Sequence, residues 1–145
     1  MPHNRTPKPG SKYYLPKYKY RTVVNFCLQY HELKDELRSI DGWHSGNNDG
    51  MPHGTGTSDP VANDAIRREE IQKKIDIIEE SVRECVTGVY KPFQPYVMKS
   101  ITTEYIGYRY LDTMFQINSS FAVPMTKNKF SELRRKVYYT ISKKI

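Results

Sequence analysis

Two segments of this sequence carry apolar side chains at alternating steps of three and four residues. This spacing places each set on one face of an α-helix, and each face needs a partner to bury it. The two segments therefore predict an antiparallel helical hairpin, or a homodimer in which one stripe pairs between two copies of the chain. The stripe residues are Val23, Phe26, Tyr30, Leu33, Leu37 and Ile40 in the first segment, and Ile71, Ile75, Ile78, Val82 and Cys85 in the second.

The stretch between the two stripes predicts a loop. Residues 41–58 hold five of the eight glycines and show no apolar periodicity, as is typical of a linker. We expect the first helix over about residues 20–40. The second should begin with Asp59 as its cap and Pro60 in its first turn, and Gly88 should end it.

The C-terminal third predicts further helices and no strand. We expect helices around residues 96–103 and 106–115, and a last helix that Thr126 caps and that runs to the C-terminus. Phe130, Leu133, Val137 and Ile141 share one face of this last helix. The sequence therefore predicts an all-α protein.

Length and composition limit the organisation to one modest core. The chain has 145 residues, which is enough for one domain of ordinary size. No segment reaches the run of about 18 apolar residues needed to cross a bilayer, and the N-terminus lacks the apolar core of a secretory signal. With only Cys27 and Cys85, each in an apolar helical pattern, a disulfide framework is not expected. These features predict an intracellular, cytoplasmic protein.

Charge is distributed unevenly along the chain. Residues 1–22 carry six basic and no acidic side chains, and residues 101–145 carry eight basic and three acidic ones, whereas the whole chain has a net charge of +7. The middle is therefore acidic between two basic ends. This pattern favours contact of the ends with a polyanion, for which nucleic acid is the first candidate and an anionic membrane surface the second.

The composition of the N-terminal end predicts an extended arm. Residues 1–19 hold four of the nine prolines, with lysines and tyrosines between them, which favours an extended conformation. The tyrosines could stack on bases or follow a phosphate backbone, or could pack onto the helices. The expected organisation is an arm over 1–19, a helical hairpin over 20–90 and a DNA-binding region over 91–145.

The last helix has the features of a recognition helix. Such a helix needs an apolar face against its scaffold and short or forked polar donors for base edges. Residues 126–145 hold seven basic residues and one acid, Glu132, which suits phosphate contact. An ordinary amphipathic terminal helix is the alternative. The predicted DNA-binding residues are Lys127, Asn128, Lys129, Ser131, Arg134, Arg135, Lys136 and Tyr138.

Several blocks of the chain together resemble a known family. They are FCLQYHELKDEL, MPHGTGTSDPVANDAIRREEIQKKIDIIEESV, PYVMKSITTEYIGYRYLDTMF and VPMTKNKFSELRRKVYYTISKK. The sequence from about Tyr18 onward resembles the RinA/ArpU family of phage transcriptional regulators, which control late genes for packaging and lysis. In its last block, Pro124 and Phe130 precede a Leu-Arg-Arg-Lys run and further aromatic residues, in the order of the family pattern.

The resemblance implies a fold and a function. It implies a helix-turn-helix similar to sigma-factor region 4, in which the last helix binds double-stranded DNA. The contact residues that it implies are Lys127, Asn128, Lys129, Arg134 and Arg135. For such an activator, host RNA polymerase is a further candidate partner, which the acidic helical hairpin could contact. The sequence departs from the family in QINSSFAVP, which is longer than a tight turn, and at Glu132.

Other functions find less support in the sequence. A small terminase subunit is also a small helical DNA binder, but it commonly carries its helix-turn-helix near the N-terminus. A protein-interaction module with incidental basic ends is the third alternative. Neither paired carboxylates nor a Ser/His/Asp order indicates an enzyme, and HGTGTSD lacks the Gly-Lys-Ser/Thr of a phosphate loop.

Metal and cofactor sites are not expected either. Cys27 and His31 are four residues apart, but no second Cys/His pair at matching spacing accompanies them. His44 and His53 lie in the glycine-rich segment with Asp49, and they are not expected to form a metal site either.

Overall fold

The computed structural model describes residues 9–46, 60–117 and 124–145, which contain helices and no strand. The prediction of an all-α fold is confirmed. Six α-helices and one 3₁₀ helix are described, with these bounds: α1 Lys17–Leu28, α2 Tyr30–Gly46, α3 Pro60–Cys85, the 3₁₀ helix Gly88–Phe93, α4 Gln94–Thr102, α5 Tyr108–Phe115 and α6 Lys127–Ser142.

The first apolar stripe belongs to two helices. A single helix over 20–40 is wrong, because α1 ends at Leu28 and α2 begins at Tyr30. At the junction the Gln29 N–H donates to the Phe26 carbonyl over 3.3 Å. This i to i−3 hydrogen bond is of the 3₁₀ type, which tightens the last turn of a helix. The stripe consequently has two sets of partners: α1 packs on α6 and α4, whereas α2 packs on α3.

Helices α2 and α3 run antiparallel. Tyr30, at the start of α2, donates a hydrogen bond of 2.5 Å to Glu79 near the end of α3. Arg67, early in α3, bonds Glu36 over 2.6 Å. The whole apolar stripe of α3 is buried inside the chain itself.

The segment between these helices differs from the predicted loop. Helix α2 continues through Gly46, so the loop predicted over 41–58 is wrong for its first six residues. The remainder of that loop and the predicted cap Asp59 lie outside the described residues. Pro60 opens α3 as predicted, and α3 ends three residues before Gly88, whose φ is +63°.

The described part of the N-terminal segment packs on the core. Residues 9–13 form turns and bends and α1 begins at Lys17, so an extended arm reaching residue 19 is wrong. Leu15 is 4% exposed and Tyr20 is also buried. Pro16 stands just before the first helical residue, with φ −56°, close to the value a helix requires. The arm residues 1–8 lie outside the described residues.

Helix α6 lies at the centre of the packing. It contacts α3, α1, α4 and α5, and its predicted apolar face is buried, with Phe130 and Ile141 at 1% and 0% exposure. The hydroxyl of Thr126 accepts a 3.1 Å hydrogen bond from the Lys129 N–H. The predicted cap is therefore present, and it fixes where α6 begins.

Within residues 9–46, 60–117 and 124–145, no helix is both long and apolar enough to cross a bilayer.

Candidate nucleic-acid interface

Contacts with neighbouring helices fix the orientation of α6. On one flank, the Thr140 hydroxyl lies 3.2 Å from the Cys85 sulfur of α3. On the opposite flank, the ring of Tyr138 meets Tyr20 of α1 edge to face, 5.6 Å between centroids. Near its start, the ring of Phe130 packs on Tyr108 of α5 at 5.9 Å. These contacts leave one face of α6 toward solvent.

The solvent face of α6 carries amide, hydroxyl and basic groups. Lys127, Asn128 and Arg135 are exposed, and Ser131 is half-buried beside them. Positions 127, 128, 131 and 135 of a helix lie on one side, because residues three and four apart are neighbours. We call these four residues the reading face. The scaffold thus presents short and forked donors on a rigid helix, as groove recognition requires.

Basic side chains flank the reading face on the side of the 3₁₀ helix. Lys129 lies 4.9 Å from the ring centre of Tyr90 and 3.4 Å from the Glu132 carboxylate. Lys136 is half-buried one turn beyond Glu132. The carboxylate of Glu132 is thereby partly neutralised by Lys129 within α6 itself.

Two of the predicted contact residues are buried instead. Arg134 is 8% exposed and Tyr138 is 2% exposed, so neither lies on the solvent face where a DNA contact was expected. Arg134 Nη2 lies 3.4 Å from the Tyr138 hydroxyl oxygen, to which it donates. Both side chains are buried, and Tyr138 packs on Tyr20 of α1, so they belong to the packing of α6 rather than to its solvent face.

The buried phenols reflect this packing. Burial raises the pKa of Tyr138, and the positive charge of Arg134 opposes that rise. Burial also raises the pKa of Tyr20, with the charges of Arg134 and Arg135 acting in the opposite direction. Both phenols stay neutral at physiological pH. Arg135, the next residue along, is exposed to solvent.

A second group of basic and aromatic residues joins the two ends of the chain. The ring of Tyr13 packs on Tyr139 of α6 at 5.8 Å. Lys12 Nζ lies 5.5 Å from the ring centre of Tyr13, and Lys143 Nζ lies 4.4 Å from that of Tyr139. We call these four residues the terminal cluster. Sequence reasoning did not include Tyr139 or Lys143, because their link to the N-terminal segment exists only in three dimensions.

The residues considered as metal ligands do not come together. Cys27 is fully buried in α1, whereas His31 is exposed on α2 and lies 3.5 Å from the Thr103 hydroxyl. Burial raises the pKa of the Cys27 thiol, which makes it a poor nucleophile and ligand. Within the described ranges, no group of three or more His, Cys, Asp or Glu residues could hold a metal ion. His53 and Asp49 lie outside those ranges.

Comparison of the chain with protein-family models, with curated proteins and with solved structures found no match.

Proposed function

We propose that this chain is a sequence-specific DNA-binding transcriptional regulator, with α6 as the recognition helix of a C-terminal helix-turn-helix. The observation that carries the proposal is the reading face, which the buried side of α6 orients toward solvent. The connection that would form the turn includes residues 118–123, outside the described residues. The proposal therefore rests on α6 itself.

The chemistry of the reading face fits base edges. An asparagine side chain can bond adenine through two atoms, and an arginine fork can do the same with guanine. Asn128 and Arg135 are both exposed, and they lie seven residues apart, close to two helical turns. Lys127 and Ser131 are suited to the phosphates and base edges beside them.

The packing of the two chain ends supports a polyanion as partner. Tyr13 and Tyr20 from the basic N-terminal segment pack on Tyr139 and Tyr138 of the basic C-terminal helix. The two basic ends of the sequence are therefore neighbours in the fold. A single positive region of this kind attracts nucleic acid from a distance, and it gives the affinity that base contacts then make specific.

The biological role follows from the resemblance to the RinA/ArpU regulators. We propose activation of phage late genes such as those for packaging and lysis, in the cytoplasm of the host cell. The acidic pair α2 and α3 would contact host RNA polymerase. No catalytic step and no cofactor enter this proposal.

The experiment that tests the function is selection of duplexes from a random pool at physiological salt. We expect a short motif to become enriched over successive rounds, because the reading face discriminates base edges. A pool carried through the same rounds without protein is the control. A protein-selected pool with the composition of that control would overturn the proposal.

A further inference from the structure

The terminal cluster is a fixed feature of the fold. Leu15 is buried in the core, which anchors the residues just before it. Tyr13 is half-buried against Tyr139, which is itself half-buried. The two rings therefore hold each other, and the lysine beside each ring is held at the same place on the surface.

The lysines of the cluster have no acidic partner among the described residues. By contrast, Lys144, the next residue along, lies 2.9 Å from the Glu84 carboxylate, and Lys129 is paired with Glu132. Lys12 is exposed beside Tyr13, and Lys143 is exposed at the end of α6. Two uncompensated ammonium groups and two phenols thus occupy one patch of surface.

The position of the patch relative to the reading face defines what it can touch. Lys143 follows Arg135 by eight residues, or about 12 Å along the helix axis at 1.5 Å per residue. The major groove is itself only about 12 Å wide. If Asn128 and Arg135 contact base edges, Lys143 is then placed about one groove width from Arg135, within reach of the sugar-phosphate backbone.

We infer that the terminal cluster is a second DNA contact, which binds backbone phosphates beside the groove that the reading face occupies. This inference rests on the proposed function. Lysine ammonium and tyrosine hydroxyl groups are common donors to phosphate oxygens, and such contacts fix the position of a protein on the duplex without reading its sequence. Because the N-terminal segment packs against α6, it holds Lys12 and Tyr13 where they add to the affinity for DNA.

The test replaces both lysines, as Lys12→Gln with Lys143→Gln. Losing two phosphate contacts is expected to make the slope of log affinity against log salt shallower by about 2. Affinity at low salt should fall by the same factor for the selected duplex and for an unrelated one. The matched control is Lys73→Gln with Lys74→Gln, since both lysines are exposed on α3 and the charge change is equal.

The outcomes separate this inference from the function on which it rests. If the parent binds no duplex, both the proposed function and this inference are overturned. If the parent selects a motif while the Lys12→Gln, Lys143→Gln variant keeps the parent slope, only the inference is overturned. A changed base preference in that variant would also overturn it. Tighter binding of the parent to phosphatidylserine vesicles than to duplex, lost in the variant, would assign the cluster to a membrane surface instead.

Discussion

The substitution Phe130→Ala is expected to lower the free energy of unfolding by about 3–5 kcal/mol. Phe130 is 1% exposed, and its ring packs on Tyr108, whose hydroxyl in turn donates to the Met125 carbonyl over 2.8 Å. The substitution therefore opens a cavity where α5, Met125 and the start of α6 meet. Chemical denaturation followed by circular dichroism measures the loss.

The control for this substitution is Asn128→Ala, two residues earlier in the same helix. Asn128 is exposed, so its replacement should change the free energy of unfolding by no more than about 0.5 kcal/mol. Equal stability of Phe130→Ala and the parent would show that the start of α6 is not held by the core. The packing of Phe130 would then no longer explain why the reading face points toward solvent.

Binding to duplex DNA is expected to depend steeply on salt. If Lys12, Lys127, Lys136 and Lys143 each neutralise one phosphate, affinity should fall roughly 150-fold between 50 and 200 mM salt. Among the described residues, none of these four side chains forms an ion pair, so each can displace a counterion.

Fluorescence anisotropy of a labelled duplex at several salt concentrations measures this dependence. The free energy of unfolding over the same concentrations is the control, because a salt effect on the fold would otherwise imitate one on binding. An affinity that stays constant across the series would contradict a phosphate-dominated interface and favour an interaction module with incidental charge.

The elements with strong periodicity could be predicted from the sequence. The apolar face of α6 and the stripe of α3 follow from their spacing alone, and Thr126 as the cap of α6 follows from its hydroxyl just before the periodic run. Periodicity does not say which helix covers which face. The apolar spacing of the first stripe continues across Gln29 without a break. Only the different helices that α1 and α2 pack against show that the stripe belongs to two helices.

The buried arc of α6 is wider than its apolar residues indicate. Because α1 lies against one flank, Arg134 and Tyr138 are covered although both are polar. Their mutual hydrogen bond and the edge-to-face contact with Tyr20 compensate part of the cost of burial. Arg134 stands four residues after Phe130 and three before Val137, so its helical position borders the apolar face, whereas Arg135 lies away from that face.

The N-terminal segment and the glycine-rich segment show the same limit. Prolines and lysines predicted an extended arm, but one leucine, Leu15, finds a place in the core and brings Tyr13 onto α6. Likewise, residues 41–46 contain two glycines and are nevertheless helical, since a helix already formed can extend at a cost of only about 1 kcal/mol per glycine.

The measurement that tests the central claim most directly is the affinity of Arg135→Ala for the selected duplex and for its single-base variants. Arg83→Ala, an exposed arginine on α3, is the control and should bind like the parent. We predict that Arg135→Ala loses about 1–3 kcal/mol of binding free energy and its preference at one base pair, with the free energy of unfolding within about 0.5 kcal/mol of the parent. An Arg135→Ala protein that binds as tightly and as selectively as the parent would contradict the recognition role of α6.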